Sequence, residues 1–202
     1  SQRDHHRRRA KPAAGLAGAV SVARHWAMVG QAPIADCLVP THIFEQGIGT
    51  VWMTRRLPDG RYAVAGILVD IYCLGVKNAM HKIVEAGEYP EVMASIRSNP
   101  AESVESQHPS CARKLVEGAL AFAKDLGFEP HAEYRIARLI FGDIDASACP
   151  THFVFGKNGK PFFINGPYDT PAIQRKIVKQ LERRCGPGGY DHLVMQGPPL
   201  LD

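Results

Sequence analysis

Cysteine and histidine fall close together four times in this chain: Cys37 and His42, His108 and Cys111, Cys149 and His152, Cys185 and His192. A structural zinc site takes four such ligands, usually as two close pairs. The "HPSC" and "CPTH" stretches therefore offer His108, Cys111, Cys149 and His152 as a candidate Zn²⁺ set. Neither pair is a CxxC knuckle, and 37 residues lie between them, so the competing expectation is buried thiols and scattered surface histidines. Carboxylates form a second constellation. Asp143 and Asp145 in "FGDIDAS" end a predicted strand, where side chains two apart face the same way, and Asp70 ends another. Gathered together they would hold Mg²⁺ for hydrolytic or nuclease chemistry. The same contexts signal turn formers at Asp143 and Asp145 and a helix cap at Asp169, and these structural roles are the expected ones. Cys73, with Asp70 three residues before it and His81 eight after, is an imaginable nucleophile set, although a thiol between Tyr72 and Leu74 is expected to be buried. No P-loop, GxSxG, HExxH or strand-borne GxGxxG is present, which removes the common nucleotide-dependent and hydrolase signatures. No cofactor is expected, with Zn²⁺ or Mg²⁺ as the alternatives.

Cations are placed more suggestively. Residues 1–11, "SQRDHHRRRAK", hold five basic residues against Asp4, which accounts for the whole net charge of +4 and leaves 19 basic and 19 acidic residues elsewhere. Arg7, Arg8, Arg9 and Lys11 thus make a basic arm suited to phosphate backbones or acidic surfaces. An Arg-rich, acid-poor start also fits a transit peptide, but residues from about 16 onward read as part of the fold. Arg175, Lys176, Lys179 and Arg183 recur on one face of a predicted helix whose other face carries Ile173, Ile177 and Leu181. Arg55, Arg56 and Arg61 surround a predicted hairpin tip.

The elements that must position these residues can be read in turn. "GAVSVAR" at 18–24 matches "GALAFAK" at 118–124, Pro33 matches Pro130, the turn "DG" at 59–60 matches "NG" at 158–159, and Asp70 matches Asp169. The shared order predicts an internal duplication of an α-β-β-β-α unit about a pseudo-twofold axis, in an α/β or α+β layered domain. The second copy reads as a helix ending at Gly127, a strand over 134–143, two strands around Asn158-Gly159, and a helix over 169–186 capped by Asp169 or Thr170. The first copy reads as a helix over 16–29, a strand "IADCLVP", a long hairpin over 49–70 and a closing helix over 77–87. The predicted organisation is an arm over 1–15, units over 16–88 and 111–196, the latter with a final strand at 190–195, a connector over 89–110 with a short helix at 90–98, and a tail over 197–202. The order α-β-β-β-α is also that of double-stranded RNA-binding domains; the likeness ends there, because their basic, glycine-containing second-helix signature is in neither copy.

Five widely spaced cysteines predict reduced thiols and a cytoplasmic protein, and no apolar run reaches the roughly 18 residues of a membrane span. The function expected from these features is non-enzymatic binding of nucleic acid or a nucleoprotein complex. The alternatives are a metal-dependent hydrolase using Asp70, Asp143 and Asp145, or an adaptor that joins proteins through its hairpin.

Overall fold

The segment YAVAGILVD is apolar at nearly every position, so neither of its faces can be left to water. The computed structural model describes residues 14–195, and there this segment is strand β3 (Tyr62–Asp70), with Ala63, Val64, Ala65, Ile67 and Val69 all at most 1% exposed. A strand buried on both faces also needs a neighbour on each edge. On one edge runs β2 (Ile48–Arg56), joined to β3 through Pro58-Asp59-Gly60, where Gly60 takes φ 87° and Asp59 accepts hydrogen bonds from Arg61. On the other edge runs β4 (Gly75–Val84). Strand β1 (Ile34–Pro40) pairs with β2, and short β5 (Val104–Ser106) with β1, giving an antiparallel sheet of order β4-β3-β2-β1-β5.

Alternation along β2 sends Val51, Met53 and Arg55 to one face and Thr50, Trp52 and Thr54 to the other. The first face is covered by α1 (Ala14–Val29), α4 (Pro109–Asp125), α5 (Tyr134–Ala137) and a 3-10 turn (Arg138–Phe141). Trp26, Leu115, Ala119, Tyr134 and Ile140 meet the sheet there in the main core. On the second face lies α3 (Tyr89–Arg97), whose Tyr89 ring stacks on Tyr62 at 3.8 Å and whose hydroxyl meets Thr54 and Asp36. A single turn, α2 (Ile43–Gln46), links β1 to β2.

A smaller unit closes one end of the sheet. Strand β6 (Phe162–Ile164) pairs in parallel with β7 (Asp191–Leu193), and α6 (Pro171–Cys185) is the crossover that a parallel pair requires. Thr170 caps α6 by accepting from the Ile173 N–H, Pro171 fits its first turn, and Gly186 ends it at φ 71°. Phe163 and Leu181 pack with Cys73 and Leu126 in a second apolar cluster. No helix among the described residues is long and apolar enough to cross a membrane.

The mixed helix-and-sheet architecture agrees with the sequence; the repeat does not reappear in the element order. Residues 77–84 are not a closing helix but most of β4, because β3 has no other partner for its second edge. Residues 134–141 are helical rather than a strand, which lets Tyr134, Ala137, Ile140 and Phe141 face the core at a spacing near 3.6. The Asn158-Gly159 turn forms as read, with φ 53° and 79°, but only a single bridge, Lys157 to Lys160, flanks it. The whole five-stranded sheet comes from residues 34–106.

Candidate nucleic-acid interface

The zinc set is removed by covalent chemistry. Cys111, in the first turn of α4, is disulfide-bonded to Cys149, with Cα atoms 4.9 Å apart, so neither sulfur is a free thiolate. This also corrects the expectation of five reduced thiols: Cys37 and Cys73 are free and buried, and Cys185 is free and half-buried. His108 is the N-cap of α4, its Nδ1 accepting from the Ser110 N–H at 3.2 Å, and His152 is exposed. Among the described residues no group of three or more His, Cys, Asp or Glu side chains is placed to hold a metal ion.

The acidic trio is dispersed. Asp145 caps a 3-10 turn (Ala146–Ala148), accepting from the Ser147 N–H at 2.9 Å and hydroxyl at 2.6 Å, and these bonds hold its carboxyl below the usual range. Asp143 acts on the Arg55 guanidinium. Arg55 is paired across the sheet with Ala63, seven residues or about 24 Å of strand from Asp70. Asp70 is 7% exposed and accepts from the N–H groups of Tyr72, Cys73 and Leu74, closing the turn into β4. Burial pushes its carboxyl up to about 6, against the pull of those three donors and of Lys77. The Cys73 set also fails. Cys73 is fully buried beside Phe163 and Leu181, with its thiol raised far above the usual range by burial, whereas His81 lies six residues along β4 from Gly75, against Trp26.

One juxtaposition was not anticipated. Lys77 on β4 reaches Asp169, 92 residues away in sequence, at 3.4 Å, while Asp169 Oδ2 accepts from the Gly166 N–H at 2.6 Å. Lys77 thus pairs with Asp169 and also pulls on the charge of Asp70, the two aspartates matched in sequence, with Asp70 and Lys77 lining a small cavity of about 230 Å³. The one signal for this was the pair of aspartates itself.

The cations divide sharply. Arg55 is 4% exposed and spends its guanidinium indoors: Nε donates to the Ile140 carbonyl at 2.7 Å, Nη1 to Ala32 at 2.5 Å and Nη2 to Phe141 at 3.1 Å. It is a structural bolt between the sheet and the 3-10 turn, not a surface contact. Arg61 is paired with Asp59 at 2.8 Å, leaving exposed Arg56 as the hairpin's unpaired cation among the described residues. Arg7, Arg8, Arg9 and Lys11 lie outside the described residues.

On α6 the cations are outside. Arg175, Lys176, Lys179 and Arg183 are all exposed, and none is in a salt bridge among the described residues, whereas neighbouring Arg184 is held by Asp125 at 3.1 Å. The positions follow from α6's amphipathic pattern: Ile177, Val178, Leu181 and Cys185 pack inward. Ile173, read as part of that apolar face, is 43% exposed. Between α6 and β7 runs a groove of about 840 Å³, walled by Arg175, Lys179 and Arg183 and floored by Val178 and Val194. Tyr190 and His192 also line it, their rings stacked at 5.9 Å with an interplanar angle of 27°. Glu182 is its one carboxylate. A run of cations beside aromatic rings and an apolar floor can hold a charged backbone and stack flat rings.

The chain matches no protein-family model, no curated protein and no solved structure.

Proposed function

We propose that this protein binds single-stranded nucleic acid along the α6–β7 groove, without enzymatic chemistry, and that the Arg-rich segment 1–11 adds phosphate contacts. The observation that supports this reading is the joint lining of one groove by Arg175, Lys179, Arg183 and the paired rings of Tyr190 and His192. Cations every fourth residue on a helix rise about 6 Å from one to the next, so they form a line rather than a spot. Phosphates supply the attraction and unpaired bases the surfaces for stacking, a combination that tolerates any sequence.

The test is anisotropy of a labelled oligothymidylate or oligouridylate across a salt series. The three groove contacts alone predict a log-log slope of about −2 for a single strand, and the contacts of residues 1–11 should steepen it. A triple Arg175→Gln, Lys179→Gln, Arg183→Gln variant should flatten that slope by about 2, and deletion of residues 1–11 should weaken binding further. Affinity indifferent to salt and to both changes would end the proposal. Partner capture from extracts that survives nuclease treatment would favour the adaptor reading instead.

A further inference from the structure

The sheet's second face carries a cleft that the nucleic-acid reading does not use. It lies between α3 and strands β2 and β4, has a volume of about 520 Å³, and is lined by Trp52, Met80, Ile96, Glu91, Glu102 and Lys82 among others. That volume is in the range of small-ligand sites.

Its floor rests on a glycine that carries no Cβ. Gly66 on β3 faces the cleft side, and a Cβ at that position would lie 2.5 Å from Trp52 Cζ3 and 2.9 Å from both Cε3 and Cη2. The two flanking carbons are only 0.4 Å farther than Cζ3, as for a point above the ring plane, whereas an approach along the ring edge would put them more than twice that increment farther, so the six-membered ring lies face-on over the glycine. The indole therefore occupies the place of the missing side chain and turns its opposite face toward the cleft. Among the described residues, no lysine or arginine is stacked on Trp52; the cation–ring contacts are to Tyr72, Phe141 and Phe162.

Carboxylates stand at the cleft's edge. The ladder between β1 and β2 stops at Leu38 and Trp52, and Glu102 takes over beyond it, its Oε1 accepting from the Thr50 N–H at 2.5 Å. Its other oxygen has no hydrogen bond within the described residues, and burial raises its pKa. Glu91, in the first turn of α3, adds a second carboxylate, against the single cation Lys82. An open indole face attracts a positive charge through its quadrupole, and a partly desolvated carboxylate attracts the same charge more strongly than it would in water. Anions meet net repulsion in this cleft.

From this arrangement we infer that the α3 cleft binds a small organic cation of the alkylammonium class, with Trp52 as the aromatic platform and Glu102 as the counter-charge. The inference is independent of the α6 groove.

Choline and its uncharged carbon isostere, 3,3-dimethylbutan-1-ol, separate cation recognition from mere apolar burial. Titration followed by ¹H–¹⁵N NMR should shift the Trp52 indole N–H with choline, at a dissociation constant of about 1 mM or tighter, and not with the isostere. Trp26, 3% exposed on the other face of the sheet, serves as the internal reference that should not move. Glu102→Gln should weaken choline binding about tenfold, and Trp52→Leu should do the same or more. Should the Trp52 variant fail to fold, Glu102→Gln, which keeps an acceptor for the Thr50 N–H, carries the test alone. Equal shifts with both ligands, no shift with choline up to about 100 mM, or undiminished binding by Glu102→Gln would each overturn the inference.

Discussion

Two buried charged side chains do opposite kinds of work, and both are open to measurement. Arg55 donates to three carbonyls, of Ala32, Ile140 and Phe141, where the end of the 3-10 turn meets the sheet. Burial lowers its pKa and Asp143 raises it, a charge kept indoors by its partners rather than by solvent. Arg55→Met fits the space but leaves the Ala32 and Ile140 carbonyls without donors, while that of Phe141 keeps the Ile144 N–H, so it should cost about 3 kcal/mol in urea unfolding, with Arg55→Lys losing less. A loss below about 0.5 kcal/mol would mean that water replaces the guanidinium. Asp70 acts through its proton. Its folded pKa of about 6 lies above the unfolded value, so between pH 4 and 6 the folded chain keeps a proton that the unfolded chain has released. The stability this provides is complete below the unfolded value and is lost as pH rises through 6, on the order of 3 kcal/mol in all. Urea midpoints should therefore fall from pH 4 to 7 by more in the native chain than in Asp70→Asn, which cannot titrate. Parallel curves would show that the three N–H donors outweigh burial.

The Cys111–Cys149 bond belongs to the next scale, because it fastens the start of α4 to the loop that precedes the Asn158-Gly159 turn. Closing a loop of about 38 residues removes on the order of 4 kcal/mol of unfolded-state freedom in the chain-entropy account. The denatured, unreduced protein should titrate three thiols and the reduced protein five, and reduction should lower the thermal midpoint; five thiols from the outset would remove the bond from the native structure. No spacing rule could have singled out this pair, since both cysteines also sat within metal-like pairs with histidine, and only the approach of helix and loop decides between them. Element ends were legible wherever local chemistry sets them: Thr170, Pro171 and Gly186 bound α6 as read, and Asn158-Gly159 takes its positive φ values with no help from the fold. Element types failed where a partner decides. Residues 77–84 carry no strong strand pattern, and they are a strand because β3, apolar on both faces, requires one on its free edge. For 134–141 the signal was present, Tyr134, Ala137 and Ile140 recurring at helical spacing, but Tyr134, Ile136, Ile140 and Phe141 are also the aromatic and β-branched types that favour strands. Of the candidate site, the α6 cations were legible from amphipathic periodicity, while the rings of Tyr190 and His192 join them only through the parallel pairing of β7 with β6.

At the scale of the whole molecule, the exposed cations Arg56 and Arg175, Lys179 and Arg183 lie at two ends of the sheet rather than on one surface. The hairpin tip that bears Arg56 lies at the Tyr62 end of β3, whereas α6 and the small sheet gather at the other end, where Gly156 N donates to the Ile71 carbonyl and Phe162 N to that of Tyr72. Nine residues of strand between them span about 30 Å, three Debye lengths at 0.1 M salt. A strand held in the groove is therefore screened from the hairpin, and each end can be tested without disturbing the other. Lys179→Glu, an exposed change facing the groove, should weaken oligonucleotide binding about tenfold at 0.1 M salt, since it both removes a phosphate contact and adds a repulsive charge. Arg56→Glu, the same charge reversal at the far end, should leave affinity within about twofold. Equal losses from the two variants would indicate a diffuse response to net charge and would remove the groove as the binding surface. A loss confined to Lys179→Glu, persisting in a chain that lacks residues 1–11, would place the contact on α6 itself.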